Sequence, residues 1–245
     1  MTKANTNYFD ISISDNTHAF AKNFAKNLYS NPYLSRQYKL DQIFDHVFSL
    51  IDKQVSLGLK KFSSNLNISF GSKTIIKPIR QLYLYLNIAR LASNSNTLAD
   101  IGCGRCHFEP FIRSMNLSYT GYDISDSQDL TSKIQAQNFI NTDITDNNFY
   151  PSSADIFLCT EVIEHIPEPV SLLLRIYQAL PRNSTFILTM PFYCTAHQEP
   201  YYFYNGFHPN FVSYLEQKYN FFVADKTLIK IDEMNIFQGY CFKKP

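Results

Sequence analysis

An acid, two glycines and two cysteines crowd the stretch Thr97 to Phe108, TLADIGCGRCHF. Asp100 ends a short apolar run, Gly102 and Gly104 follow, and then come residues able to begin a helix. Glycine permits positive φ and lets a ligand approach the backbone. A helix start offers unpaired N–H groups. Strand, glycine turn and helix together suit a nucleotide-like cofactor at the carboxyl edge of a parallel sheet. Asp123 stands 19 residues beyond Gly104, the spacing at which an acid accepts hydrogen bonds from ribose hydroxyls. The competing reading of Asp123 is a helix N-cap before Ser125. Asp143, in NTDITD, can accept a hydrogen bond from an exocyclic amine such as that of adenine, with Ile144 beside it to pack on a flat ring. The competing reading there is a surface turn, because Asp146 and two asparagines follow.

Further on, Thr160-Glu161-Val162-Ile163-Glu164-His165 closes another apolar run. Glu161 and His165 are four apart, so a helical turn would set them on one face. As a pair they suit a base, a substrate clamp or part of a metal site; alone, Glu161 suits a helix start. His197 lies in a loop crowded with aromatics, Tyr201 to Tyr204. Its imidazole titrates near neutrality and can take a hydroxyl proton, or it can simply hold the loop by hydrogen bonds. The tyrosines suit stacking on a sugar or a flat ring.

The elements that must position these residues change character near Ser95. Before it, apolar spacing predicts helices at about 16–29, 34–62 and 78–92, after a mobile leader over residues 1–15, with a linker at 63–72. After it, strands and helices alternate. Strands are expected at 98–101, 119–122, 139–141, 156–160, 185–190, 222–231 and 236–242, with helices at 108–115, 128–137 and 169–180. Crossover helices demand a parallel sheet. The last two strands, joined by a short turn, must pair antiparallel.

In order, DIGCG, GYDIS, NTD, DIFLCTEVIEHIPEP and FILTMPF resemble a class I S-adenosylmethionine-dependent methyltransferase, of the type similar to ubiquinone-pathway and sugar or glycan methyltransferases. The resemblance runs from about Ser95 to Pro245. It implies an α/β fold: a seven-stranded Rossmann-like sheet, order 3-2-1-4-5-7-6, parallel with one antiparallel strand. Residues 96–245 would be the methyltransferase domain and residues 1–95 an N-terminal helical extension or cap. It also implies S-adenosyl-L-methionine as cofactor. Asp100, Gly102, Cys103 and Gly104 would lie against its methionine part, Asp123 and Ile124 at the ribose, Asp143 and Ile144 at the adenine, and Thr160 beside the sulfonium. The family often has a third glycine where Cys106 stands. A dehydrogenase is disfavoured, since Gly102-x-Gly104 lacks the third glycine of its fingerprint.

The implied reaction is methyl transfer to a small-molecule or glycan acceptor, at a hydroxyl, with His197 as first base, His165 as second, and Glu161 at the strand end. Glu-x-x-Glu-His also resembles the magnesium site of small-RNA 2′-O-methyltransferases, but the downstream histidine pattern differs, so no metal site is assigned. That RNA enzyme and a catalytically degenerate module of the same fold are the alternatives.

Formal net charge is +1, which by itself points neither toward nor away from nucleic acid. Residues 1–95 hold 12 Lys/Arg against 5 Asp/Glu, and residues 96–245 hold 10 against 16. The mild basic bias reads as a solvated or docking surface, so a nucleic-acid partner is not expected. Five cysteines show no disulfide framework. Cys103 and Cys106 have redox or zinc spacing but lack a second pair and sit inside the glycine turn. No stretch approaches a membrane span and no signal pattern opens the chain, so the expectation is a cytoplasmic protein. The sequence is silent on oligomeric state.

Overall fold

The structure is a computed structural model describing residues 5–10 (as backbone), 73–124, 138–193, 203–230 and 236–244. The expected helices at 16–29, 34–62 and 128–137, and the linker at 63–72, lie outside the described residues. The chain divides into two compact units. One comprises Met1–Asn7, Asn94–Leu228 and Gln238–Pro245; the other comprises Tyr8–Ser93 and Ile229–Phe237.

The strands of the sheet are β1 (Asn5–Asp10), β2 (Thr97–Ile101), β3 (Ser118–Asp123), β4 (Phe139–Asn141), β5 (Ile156–Thr160), β6 (Thr185–Pro191), β7 (Phe222–Lys230) and β8 (Ile236–Lys243). Their order is β1-β7-β8-β6-β5-β2-β3-β4. Counted from β2 as first, strands β2 to β8 have the order 3-2-1-4-5-7-6 that the sequence motifs imply. Four neighbouring pairs, β3–β4, β2–β3, β2–β5 and β5–β6, are parallel. β7 and β8 are adjacent and only five residues separate them, too few for a crossover, so they run antiparallel.

β1 corrects the expectation of a mobile leader at residues 1–15, because Asn5–Asp10 lies beside β7 as an eighth strand. An edge strand presents a row of unpaired backbone groups that recruits any extended segment nearby. NTNYFD carries too little apolar alternation to announce that role.

Central strands covered on both faces read as unbroken apolar runs. β5 does so: Ile156, Phe157, Leu158 and Cys159 are all buried. Helix α1 (Lys73–Ala92) opens five residues before the expected Pro78. It therefore carries inside it a proline whose missing N–H sequence reading assigns to a first turn. Helix α2 (Glu109–Ser114) is short. Helix α3 (Pro169–Ala179) buries Leu172, Leu173 and Ile176, a helical i, i+1, i+4 stripe. Helix α4 (Asn210–Tyr219), which the sequence reading missed, buries Val212 and Leu215. These five side chains join Ile101, Phe157, Leu188, Val223 and Phe242 in one buried cluster. That cluster fixes the sheet from which the site hangs.

Candidate functional site

The turn after β2 is shaped by backbone geometry. Gly102 has φ +71° and Gly104 φ +54°. Gly102 is also tight: a Cβ there would come within 2.4 Å of Val162, on the loop after β5. Gly104 is the opposite case, because a Cβ there would meet nothing within 4 Å. It is open to whatever lies above the turn. Cys106 also has positive φ, +55°. A thiol side chain occupies this left-handed backbone at a cost of about 1–2 kcal/mol, a conformation that suits glycine.

Asp123 is tied to this turn. Its Oδ2 accepts the Gly104 N–H at 2.6 Å and its Oδ1 accepts its neighbour Ile124's N–H at 2.7 Å. The N-terminal amides of the turn are held as well, with the Gly102 and Cys103 N–H groups donating to the Tyr122 carbonyl at 2.8 and 3.2 Å. Ile124 is exposed beside Asp123. Asp155 anchors the start of β2: its Oδ2 accepts the Asn96 and Thr97 N–H groups and the Thr97 hydroxyl at 2.7–3.0 Å. Those bonds hold its carboxyl below the usual carboxylate range.

Asp100 is 1% exposed. The Tyr119 hydroxyl, which sequence reading missed, donates to its Oδ2 at 3.0 Å. Burial pushes the Asp100 carboxyl up to about 7; the Tyr119 bond opposes that shift and nearby Asp123 adds to it. A cation placed here would reverse the shift, since an opposite charge favours the ionised acid.

After β4, Asp143 closes a local turn through its Oδ1, which accepts the Thr145 N–H and hydroxyl at 2.8 and 2.7 Å. Ile144 is 5% exposed and belongs to the core cluster, so its side chain packs inward rather than against a ligand ring. The loop is pinned by Arg175 of α3, another residue that sequence reading missed. Its guanidinium donates to the Ile144 carbonyl at 3.1 Å, to Asn147 Oδ1 at 3.4 Å and to Ser171 Oγ at 2.8 Å.

β5 ends at Thr160, opposite Thr189 of β6. Glu161 follows in a left-handed conformation, φ +54°, and its Oε1 accepts the Thr189 hydroxyl at 3.1 Å. The helical turn that comes next spans Ile163–His165 and begins after Glu161. The expected Glu161–His165 face is therefore not formed. His165 Nε2 instead lies 3.7 Å from Glu164 Oε1. Among the described residues no group of three or more His, Cys, Asp or Glu side chains could hold a metal ion.

The segment after β6 returns over this turn. The Phe203 and Tyr204 N–H groups donate to the Glu164 carbonyl at 3.0 and 3.2 Å, and the Tyr204 hydroxyl donates to the Pro167 carbonyl at 2.9 Å. A cavity of about 620 Å³ opens there, walled by Pro167, Glu168, Tyr204, Phe207, His208 and Phe211 among others. His197, Tyr201 and Tyr202 lie outside the described residues. Asp100, Gly102, Cys103, Gly104, Asp123, Ile124, Thr160 and Glu161 thus gather at the carboxyl ends of β2, β3 and β5, three adjacent strands.

A methyltransferase-domain family profile matches residues 77–226, more than half of the chain. No curated protein matches it in sequence. Among solved structures it is similar to magnesium protoporphyrin IX methyltransferase from Synechocystis PCC 6803, solved with bound S-adenosylhomocysteine. The two are 13% identical over 81% of this chain and 99% of that one, with TM-score 0.52. It is also similar to a S-adenosylmethionine-dependent methyltransferase from Archaeoglobus fulgidus, 18% identical over 71% and 95% of the two chains, TM-score 0.51. An O-methyltransferase family protein from Burkholderia thailandensis is 11% identical over 82% and 71%, TM-score 0.50. At these identities the structures speak for the fold. No helix among the described residues is long and apolar enough to cross a membrane. By the family profile and the strand order together, the chain belongs to the methyltransferase-domain family, as a class I S-adenosylmethionine-dependent methyltransferase.

Proposed function

We propose that this protein transfers a methyl group from S-adenosylmethionine to a small-molecule or glycan acceptor, at a hydroxyl. The observation that supports the cofactor's placement is the link between Gly104 and Asp123, which holds the Asp123 carboxylate at an open glycine turn, a position suited to a ribose. The residues fit a cationic cofactor. Asp100 is a buried acid whose ionisation a nearby positive charge would restore, and Gly104 leaves the space above it clear.

Bound there, S-adenosylmethionine supplies an electrophilic methyl on a sulfonium. Asp100 and the turn from Gly102 to Gly104 take the methionine part. Asp123 takes the ribose with its carboxylate, which the Gly104 and Ile124 amides hold in place. Asp143 reaches the adenine through Oδ2, since its Oδ1 serves the turn. Thr160 and Glu161 line the reacting end. The chain's main contribution is alignment and exclusion of water. The cavity beside Tyr204, Phe207 and Phe211 receives the acceptor; its volume lies in the range of small-molecule sites and its walls suit a ring. His197 takes the acceptor proton, with His165 the second candidate, its ring oriented by Glu164.

The test is calorimetry with S-adenosylmethionine, with Asp123→Ala as control, followed by a mass-detected methylation screen of hydroxylated glycans and small molecules. Loss of charged hydrogen bonds to a ribose predicts about 10–100-fold weaker binding by the variant. Equal binding by both proteins removes Asp123 from the site. Turnover that survives His197→Ala and His165→Ala together removes the general base.

A further inference from the structure

The glycine turn holds two cysteines whose thiol chemistry the methyl-transfer reading does not call on, although Cys103 lies in the stretch proposed to hold the methionine part. Cys103 and Cys106 have their sulfurs 3.5 Å apart, the Cys106 thiol donating to the Cys103 sulfur. The Cys106 N–H also donates to the Cys103 carbonyl at 2.9 Å. That bond closes a four-residue turn, and such turns bring their end Cα atoms within about 7 Å, close to the separation a disulfide spans. Of the five cysteines, the other described ones, Cys159 and Cys241, are buried on β5 and β8.

We infer that Cys103 and Cys106 form a dithiol–disulfide redox centre built into the cofactor turn, with a hydroperoxide as its oxidising substrate. The chemistry balances. The Cys106 thiolate attacks the terminal peroxide oxygen, the O–O bond breaks, and the leaving oxygen departs as water or an alcohol, giving a sulfenic acid on Cys106. The Cys103 sulfur then attacks the Cys106 sulfur, forming the S–S bond and expelling the sulfenic oxygen as water. Two thiols lose two electrons and two protons, and one peroxide is reduced. A dithiol reductant reverses the step.

The two sulfurs are set up for different parts. The hydrogen-bonding contact with Cys103 holds the Cys106 thiol below its usual range, helped by Tyr119 and opposed by burial and by Asp100 and Glu109. Cys103 is pushed up by its bond to Cys106 and by burial, with Asp100 and Asp123 adding to the shift. Cys106 is thus the attacking thiol and Cys103 the resolving one. Cys103 and Cys106 are 8% and 5% exposed, under a surface formed by the exposed Gly104 and Arg105 between them, so the reagent must be small.

The consequence for cofactor binding rests on the site proposed above. A disulfide draws the sulfurs to about 2.05 Å, shorter than their present separation by roughly 1.5 Å. The ring it closes contains Gly104, whose N–H holds Asp123. Oxidation therefore shifts the amide that positions the ribose carboxylate, and the oxidised protein binds S-adenosylmethionine about tenfold or more weakly.

The experiment treats the full chain with hydrogen peroxide, alkylates it in denaturant, and maps linked peptides by mass. Affinity for S-adenosylmethionine is measured in parallel on oxidised and dithiothreitol-treated protein. The expected result is a Cys103–Cys106 link and an oxidised-to-reduced dissociation-constant ratio of about ten or more. In Cys106→Ser that ratio returns to about one, each protein serving as its own reference; Cys106→Gly, which suits the positive φ, replaces it if the serine variant fails to fold. Absence of the linked peptide overturns the redox centre. A link that leaves the ratio within about twofold overturns its coupling to the cofactor. If reduced protein does not bind the cofactor, the site reading and the coupling both fail, while the linked peptide still decides the redox centre.

Discussion

The Tyr119 hydroxyl donates to Asp100 Oδ2 at 3.0 Å, joining β3 to the acid that ends β2. Asp100 is 1% exposed and its carboxyl titrates at about 7. An unfolded aspartate titrates near 3.8. Between those values the folded chain holds the extra proton, so stability declines as pH rises from about 4 to about 7, and the full cost is present above that. Asp155 has the opposite sign. Its carboxyl is held low, so its contribution is present above the unfolded value and is lost as pH falls through the folded one.

Asp100→Asn is therefore expected to stabilise the protein at pH 8, by about 1–3 kcal/mol after the cost of its buried amide. The gain disappears near pH 4–5. Denaturant midpoints at the two pH values check this. A loss of equal size at both would show that the carboxyl carries no buried-charge penalty. The same variant is expected to bind S-adenosylmethionine more weakly, so stability and binding move in opposite directions.

Cofactor affinity should itself depend on pH. Only ionised Asp100 attracts a cation, so affinity is level above about pH 7 and falls by up to about tenfold for each unit below it. Tyr119→Phe removes a bond that favours the ionised acid, and the midpoint of the affinity profile should move to higher pH. An unmoved midpoint in that variant would separate Tyr119 from Asp100 ionisation.

The two glycines of the turn should fail differently. Gly102→Ala meets both a positive φ and the Val162 side chain at 2.4 Å, and an unfolding cost of about 3 kcal/mol or more is expected. Gly104→Ala meets only the φ strain, about 1–2 kcal/mol, but it fills the open space that the cofactor is proposed to use. Thermal unfolding and calorimetry separate the two; equal stabilities would remove the packing argument for Gly102.

Arg175→Met takes the donor from the buried Ile144 carbonyl. Loss of about 1–3 kcal/mol is expected, with weaker cofactor binding as the Asp143 loop loosens. Unchanged hydrogen exchange at Thr145 would show that the loop is held by other means.

The glycine turn and most strands were legible because they are local: apolar runs, glycines and acids at fixed distances. The strand order came only through the family resemblance those motifs carry. Two strands, Phe139–Asn141 and Ile156–Thr160, fall on their expected bounds. Helix α4 was hidden by its composition, with Lys218 and Glu216 among aromatics and only Val212 and Leu215 buried. β1 was hidden because its role depends on a distant edge. Tyr119 and Arg175 were illegible for a related reason. Nothing near Tyr119 in sequence announces that its hydroxyl will meet an acid 19 residues earlier, and Arg175 looks like an ordinary polar position on an amphipathic helix. The Glu161–His165 pairing failed because a four-residue spacing implies a shared face only inside a helix, and Glu161 precedes the turn.

The place of β8 between β6 and β7 has a consequence for synthesis on the ribosome. β7 leaves the exit tunnel before the strand that joins it to the rest of the sheet. Until residues 236–243 emerge, β6 ends in an open edge, and Phe186 and Phe221 wait for Phe242, which stacks on the first and meets the second edge-on. Translation that stalls before Ile236 leaves a nascent chain with its cofactor turn complete and its sheet unsealed, a natural client for a chaperone.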